Sequence, residues 1–353
     1  MRRRPRSTQG RSSAASDVYK RQAWNIPIGT IQVHEELPVL NRSARLLAEK
    51  IIQCWEEGGD PLDNGLGEVL EQVNQACARM NRIVYLQCSE QLRQGKLVGI
   101  VGGEHSVPLG HIKALEEHFG PFGILHIDAH ADLRQAYEGF TYSHASIMFN
   151  VLKTIPSVAA LTQVGVRDYC NAENEIIHSD PRISFFPDES LKEDLYEGLT
   201  WREQCHRILE SLPDQVYLSL DIDGLSPDLC PNTGTPVPGG LRFEQVDYLL
   251  YLLASSQRRI IGFDLCEVAP SGDDPWDAIV GARLLHKICC IHIQITRNKL
   301  YICRLQFSRT IFQTIINNEN IKDFFNRPAG RNDCRVLRER RTQRECRFFK
   351  RSC

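Results

Sequence analysis

The sequence contains no apolar run near the length of about eighteen residues that a membrane-crossing helix requires, and no signal-peptide core near its start. No membrane partner is therefore expected, and the chain reads as cytoplasmic. It has no CxxC pair among its 13 cysteines, which excludes the common structural zinc modules and leaves buried, reduced thiols as the expectation. Neither a P-loop nor a GxGxxG segment occurs, so nucleotide cofactors have no support. No internal repeat is present, which excludes solenoids and propellers. Net charge is also nearly absent, at −2 over 353 residues.

That near-neutrality is a sum of unlike parts. Residues 1–22 hold seven Lys/Arg and one acid, and residues 296–353 hold fifteen Lys/Arg and five acids, leaving 20 basic and 38 acidic residues between them. An acidic globular region, residues 23–295, thus lies between two basic ends. Clustered Lys/Arg is the footprint of phosphate contact, but no nucleic-acid partner is expected. The Arg- and Ser-rich first segment reads first as a translated cloning adaptor and second as a mitochondrial transit peptide. The last segment shows no sustained helical or strand period and reads as disordered or artefactual.

Within the acidic region, Ala44, Leu47, Ile51 and Trp55 recur at helical spacing and predict an amphipathic helix over 41–57, ended by Gly58-Gly59. A second helix is predicted from about Gly67 to Arg82. Beyond it, short apolar runs alternate with helical patterns: LVGIVGG from 97, FGILHIDAH from 122, LTQVGVR from 161, ISFFP from 183, VYLSLDID from 216 and RIIGFDLCEV from 259. Such runs, bounded by turn signals, read as fully buried strands, and their alternation with helices implies βαβ units. The expected fold is α/β, a three-layer α/β/α domain around a mostly parallel sheet.

Ligands of such sheets sit outside the carboxyl ends of the strands. His105, Asp128, Asp221 and Glu267 each stand at or just past the end of a predicted strand. In HIDAHADLR, the side chains of Asp128, His130 and Asp132 follow at i, i+2 spacing, which turns them to one side of an extended chain. SLDIDGLSP repeats the device with Asp221 and Asp223. Four converging carboxylates without a cation would repel strongly in a partly buried site. Two divalent ions resolve that conflict. A lone His, DxH or DxD is weak evidence by itself; the three together, each after a buried strand, point to a metal centre.

The segments GGEHSVPLGH, HIDAHADLR, YSHASIM, LDIDGLSPDLCPNTGTPVPGGL and GFDLCEVAP resemble the successive signature segments of the ureohydrolase (arginase and agmatinase) family, over about Trp24 to Cys290, and are most similar to agmatinase-like members. The resemblance implies an arginase-like fold and a cofactor of two Mn2+ ions per chain. His105 and Asp132 would bind one ion and His130 and Asp223 the other, with Asp128 and Asp221 bridging. It further implies that Asp132 relays a proton, that His144 shuttles protons, that Glu267 pairs with the substrate guanidinium and that Thr235 lies near the substrate. The implied reaction is hydrolysis of a small guanidino substrate, with agmatine to putrescine and urea as the leading reading. Arginase, formiminoglutamase, guanidinobutyrase and guanidine hydrolase activities are alternatives, as is an inactive metal-binding fragment or pseudoenzyme. A homo-oligomer, trimer or hexamer, is implied as well.

Several positions depart from the family pattern. Glu104 replaces the usual Asp, Ala145 a common Gly and Ser226 a frequent Asp; none removes a ligand. Arg134 stands where arginases carry a neutral hydrogen-bonding residue. It would repel a terminal ammonium and clamp a carboxylate, or else turn outward to solvent. The family's additional amino-terminal strand and loop have no counterpart before Trp24, so the amino-terminal part of the domain reads as missing.

Overall fold

The computed structural model describes residues 28–269, 274–296 and 300–304. The basic first segment and the residues beyond 304 lie outside the described residues. In chain order the elements are β1 (Ile28–Ile31), α1 (Glu36–Glu56), α2 (Gly67–Arg93), β2 (Leu97–Val101), α3 (Leu109–Phe119), β3 (Phe122–Ile127), α4 (Ile147–Thr154), β4 (Val158–Val164) and α5 (Asn171–Ser179). They continue with β5 (Ile183–Phe186), α6 (Asp188–Tyr196), α7 (Trp201–Glu210), β6 (Gln215–Asp221), α8 (Phe243–Ser255), β7 (Arg259–Cys266), α9 (Trp276–Thr296) and β8 (Leu300–Arg304).

All eight strands join one sheet in the order β1-β8-β2-β7-β6-β3-β4-β5, and every pairing is parallel. Parallel strands are covered on both faces by their crossover helices, which is why β2, β3 and nearly all of β6 and β7 are buried along their length. On one face Val84 of α2, Ile112 and Leu115 of α3 and Met148 and Val151 of α4 join Ile100, Ile124, Tyr217 and Ile261 of the sheet in one core. Gly99 makes room for this layer structure, since a Cβ there would lie 2.1 Å from the Phe263 ring. The three-layer parallel α/β fold is the one expected.

Three elements differ from the sequence expectation. Helix α2 continues past Arg82 to Arg93, because Ile83, Val84, Cys88 and Leu92 extend its buried face; Gly95, at φ +69°, then ends it in the left-handed conformation. Helix α1 starts earlier, with Pro38 in its first turn, where a missing N–H leaves no intrahelical bond unmade. Its Trp55 is half-exposed instead of core, and donates its indole N–H to the carbonyl of Glu138 at 3.2 Å. Strand β8 falls in the segment expected to lack a period: LYICR is a short apolar run in a charge-rich stretch, yet it pairs with both β1 and β2. Among the described residues no helix is long and apolar enough to cross a membrane.

Candidate metal centre

The carboxyl ends of β2, β3, β6 and β7 converge on one buried cluster. Past β3 the chain is stitched to its neighbours: Asp128 donates its N–H to Val164, and the carbonyl of Ala129 accepts from the N–H groups of Arg167 and Asp168. The Asp223 N–H bonds to Asp221 Oδ1 at 2.9 Å, and Asp223 Oδ1 accepts from Ala129 N–H at 3.1 Å, tying the two acidic loops together. Asp132 is brought in by a route other than simple alternation. Its φ is +56°, and its carbonyl receives the N–H groups of Met148 and Phe149 at the start of α4. Convergence of Asp128, His130 and Asp132 therefore needs a left-handed residue as well as the i, i+2 spacing.

His105 Nδ1 lies 2.9 Å from Asp128 Oδ2, 3.1 Å from Asp132 Oδ2 and 3.4 Å from Asp221 Oδ2. His130 Nδ1 lies 3.2 Å from Asp223 Oδ2 and 3.4 Å from Asp128 Oδ1. Asp128 thus turns one oxygen to each imidazole, and all six residues expected as ligands are brought together. Two donor sets result, His105/His126/Asp128/Asp132 and Asp128/His130/Asp223, sharing Asp128. His105 Nδ1 tests their fit to a cation: it is fully buried and forms no hydrogen bond of proper geometry despite three carboxylate oxygens around it. A buried ring nitrogen facing three carboxylate oxygens suits a divalent ion, and mixed imidazole and carboxylate donors suit the first-row metals.

The electrostatics agree with that fit. Burial pushes the Asp221 carboxyl well above its ordinary range, and the charges of Asp223 and Asp128 add to the rise. Burial and the Asp128 charge likewise raise Asp132. Burial opposes ionisation of Asp128 too, but His126, His105 and His130 overcome it and hold Asp128 well below the usual carboxylate range. Burial also opposes protonation of His130, yet Asp128 and Asp223 raise it to about 11. Without a cation the cluster retains protons to balance its charge.

A pocket of about 120 Å3 opens over the cluster, lined by His130, Asp132, Arg134, Tyr137, His144, Ala145, Asp168, Glu173 and Thr235. His144 stands at its edge, with a side chain 41% exposed, 4.0 Å from Glu104 and edge-on to Tyr137. Thr235 donates its hydroxyl to Asp223 Oδ2 at 3.3 Å. Glu267 is not among the lining residues. Its Oε1 accepts the backbone N–H of His105 at 3.0 Å, its φ is +61°, and burial raises its carboxyl to about 8 with the Glu104 charge adding to the effect. Arg134 does not simply turn to solvent: its Nε lies 3.5 Å from Glu173 Oε2 and its guanidinium 5.2 Å from the Tyr137 ring centre.

Sequence reasoning missed Glu173, Tyr137 and Asp168 in the pocket, and His126 in the cluster. Asp168 and Glu173 follow β4 and could have been found by the strand-end rule that found the others. His126 is masked by its place in an apolar strand run. Arg167 was also missed; its guanidinium donates to the carbonyls of Gly165, Asp223, Leu225 and Val237 and so braces the loop after β6.

Fold and site together define a class, a three-layer parallel α/β protein with two abutting donor sets for divalent ions at the strand ends. Comparison with known proteins gives the family. The description "Arginase family" matches residues 42–290. The N(1)-aminopropylagmatine ureohydrolase of Thermus thermophilus is 35% identical over 250 residues, covering 69% of this chain and 81% of that protein. Among solved structures, the agmatine ureohydrolase of Thermoplasma volcanium is similar with a TM-score of 0.51 and 26% identity, covering 62% of this chain and 70% of that one. Arginase from Bacillus caldovelox shares the fold, with a TM-score of 0.55 and 21% identity over 75% of this chain and 98% of that one. The chain belongs to the arginase family, and at the level of enzyme class it is a hydrolase acting on linear amidines.

Proposed function

We propose that the protein is a two-metal hydrolase that cleaves a guanidino C–N bond, with agmatine as substrate and putrescine and urea as products. The observation that carries this reading is the buried Nδ1 of His105, without a hydrogen bond, facing oxygens of Asp128, Asp132 and Asp221, beside a pocket that Asp132 and His130 line. By family resemblance His105 and Asp132 would hold one ion and His130 and Asp223 the other, with Asp128 and Asp221 shared between them. The ions, manganese by family resemblance, supply the Lewis acidity that makes water nucleophilic at neutral pH. Asp132 accepts the proton of the attacking water and returns it to the departing amine nitrogen, so that urea and the free amine leave. His144, half-exposed at the pocket edge, takes up the remaining hydroxyl proton as the urea carbonyl forms and passes it to the released amine or to solvent. Glu267 offers its carboxylate to the planar guanidinium, where a charge-assisted contact fixes orientation. Thr235, already bonded to Asp223, lines the substrate's path.

A second reading, a longer amine such as N(1)-aminopropylagmatine, is favoured by the 35% identical relative that carries that name. Asp168 and Glu173 in the pocket suit a substrate with more than one positive charge, whereas Arg134 suits a carboxylate. The reading extends by resemblance to a trimer or hexamer, which light scattering checks. Urea release from agmatine, N(1)-aminopropylagmatine, arginine, guanidinobutyrate and guanidine, and formamide release from formiminoglutamate, are measured with manganese-loaded protein. Agmatine is expected to give the highest kcat/KM. No product from any of them, with two ions bound per chain, would overturn the assignment in favour of an inactive metal-binding protein.

A further inference from the structure

One pleat beneath the ligands lies a row of polar side chains that the proposed reaction does not use. Gln163 of β4 is in register with His126 of β3, His126 with Ser219 of β6, and Ser219 with Asp264 of β7. All four are fully buried in the middle of a sheet whose other central positions are mostly apolar. Buried polar groups in such a place cost stability unless they are paired, so their partners show what the row does. Ser219 Oγ and His105 Nε2 are 2.9 Å apart, and Asp264 Oδ1 lies 3.6 Å from the same nitrogen. His126 Nε2 lies 2.9 Å from Asp128 Oδ2, the oxygen that also faces His105.

The protonation of His126 follows from its neighbours. Gln163 Nε2 is 2.7 Å from the carbonyl of Ala131, which can only accept, so the amide NH2 must be on that side. The same NH2 is 3.0 Å from His126 Nδ1, which must therefore accept. The His126 proton consequently resides on Nε2 and points at Asp128. Turning the Gln163 amide over would set two oxygens against each other, and the structure instead leaves Gln163 Oε1 without a partner. The unmet hydrogen bond of Oε1 is the cost of holding the NH2 in place.

We propose that Gln163 and His126 form a positioning relay, Ala131 C=O to Gln163 to His126 to Asp128, which fixes the carboxylate shared by both donor sets and thereby sets the affinity for both ions. His126 is then a hydrogen-bond donor to a ligand and is not itself a ligand, although its Nε2 lies within reach of the first set. The inference rests on the two-metal reading of the site. Outer partners of this kind usually change metal affinity by about 10–100-fold when removed.

The test is manganese binding by calorimetry to wild type, H126L, H126Q, Q163L and the H126L/Q163L double variant, each checked for folding by metal-free thermal denaturation. H126L is expected to weaken both ions by about 10–100-fold while still binding two per chain at saturation. Q163L should weaken them in the same direction, and the double variant should be no worse than H126L, because Gln163 acts through His126. H126Q, which keeps an N–H near the Nε2 position, should recover most of the affinity. Loss of one ion from H126L at saturation would make His126 a ligand and overturn the relay. So would wild-type affinities in folded H126L or Q163L, or losses that multiply in the double variant. Wild-type protein that binds two ions but releases no urea would sink the proposed reaction and leave the relay standing, since its readout is affinity.

Discussion

Replacing Glu267 by Gln should make the metal-free protein more stable at alkaline pH and the loaded enzyme much slower. Glu267 sits at a left-handed backbone position, with Oε1 bonded to the N–H of His105, and burial first and the Glu104 charge second raise its carboxyl from 4.5 to about 8. A folded carboxyl that keeps its proton to higher pH than the unfolded one contributes stability that is complete below about 4.5 and is lost as pH rises through about 8. At about 1.4 kcal/mol per pH unit, the gap sets a ceiling of about 5 kcal/mol, and sharing of protons with Glu104 lowers the expected figure to about 2–4 kcal/mol. Gln keeps the Oε1 acceptor for His105 and removes the ionisation. In EDTA, E267Q should therefore melt close to wild type at pH 5 and about 5–10 °C higher at pH 8.5, using about 2–4 °C per kcal/mol for a domain of this size. Loaded with manganese, it should lose about 10–100-fold in kcat/KM, the scale of one charged hydrogen bond of about 1.5–3 kcal/mol. Parallel melting curves for the two proteins from pH 5 to 8.5 would refute the electrostatic reasoning. Unchanged turnover would refute the role given to Glu267.

Four further outcomes are expected. Metal-free His130 keeps its proton to about 11, so manganese binding at pH 7.5 should release at least one proton, seen as a binding heat that varies with the ionisation enthalpy of the buffer; a buffer-independent heat contradicts it. Ions at about 100 times their Kd should add about 2.7 kcal/mol of stability for each ion bound, which a thermal shift measures. R134Q should raise kcat/KM for agmatine relative to arginine by about tenfold, equivalent to about 1.4 kcal/mol, because a cation leaves the pocket wall; an unchanged ratio places Arg134 outside substrate selection. G110A should cost about 1–3 kcal/mol, since the new Cβ would stand 2.2 Å from the Asn81 carbonyl where α3 crosses α2; a denaturant midpoint equal to wild type rules out so tight a crossing.

Much of the site was legible because its chemistry is local in sequence. HIDAHADLR and SLDIDGLSP each carry several ligands within a few residues, and both follow apolar runs that mark strand ends. What escaped was the part assembled across strands. Gln163 and His126 are 37 residues apart and meet only through the register of β3 with β4; within its own strand each is set among mostly apolar residues. Glu173 is read from sequence as a residue in the first turn of a helix, yet it accepts the N–H groups of Leu133 and Cys170 and faces Arg134. The alternatives for Arg134 depended on that partner. Strand β8 was hidden for another reason: five residues of LYICR give too short a pattern to stand out beside the surrounding charges, and only pairing with β1 and β2 identifies it.

The backbone strain of the site is held by contacts that the fold itself supplies. Asp132 and Glu267 are two of three non-glycine residues with positive φ among the described residues, and such positions cost about 1–3 kcal/mol each. Both are held by hydrogen bonds of the surrounding backbone and side chains. Asp132 is fixed by Met148 and Phe149 N–H on its carbonyl, and Glu267 by its own N–H to Gly103, its Oε1 to His105 and its carbonyl to Thr233 Oγ1. The loops bearing Asp221 and Asp223 are likewise held by Ala129 N–H and by Arg167. Backbone contacts made by the sheet and its crossovers thus hold the loops that carry the carboxylates, and the raised Asp132 and Asp221 and the protonated His130 offset part of the cluster's negative charge. Ions entering this cluster would displace those protons, so manganese affinity should weaken as pH falls, which titrations at pH 6.5 and 8 measure.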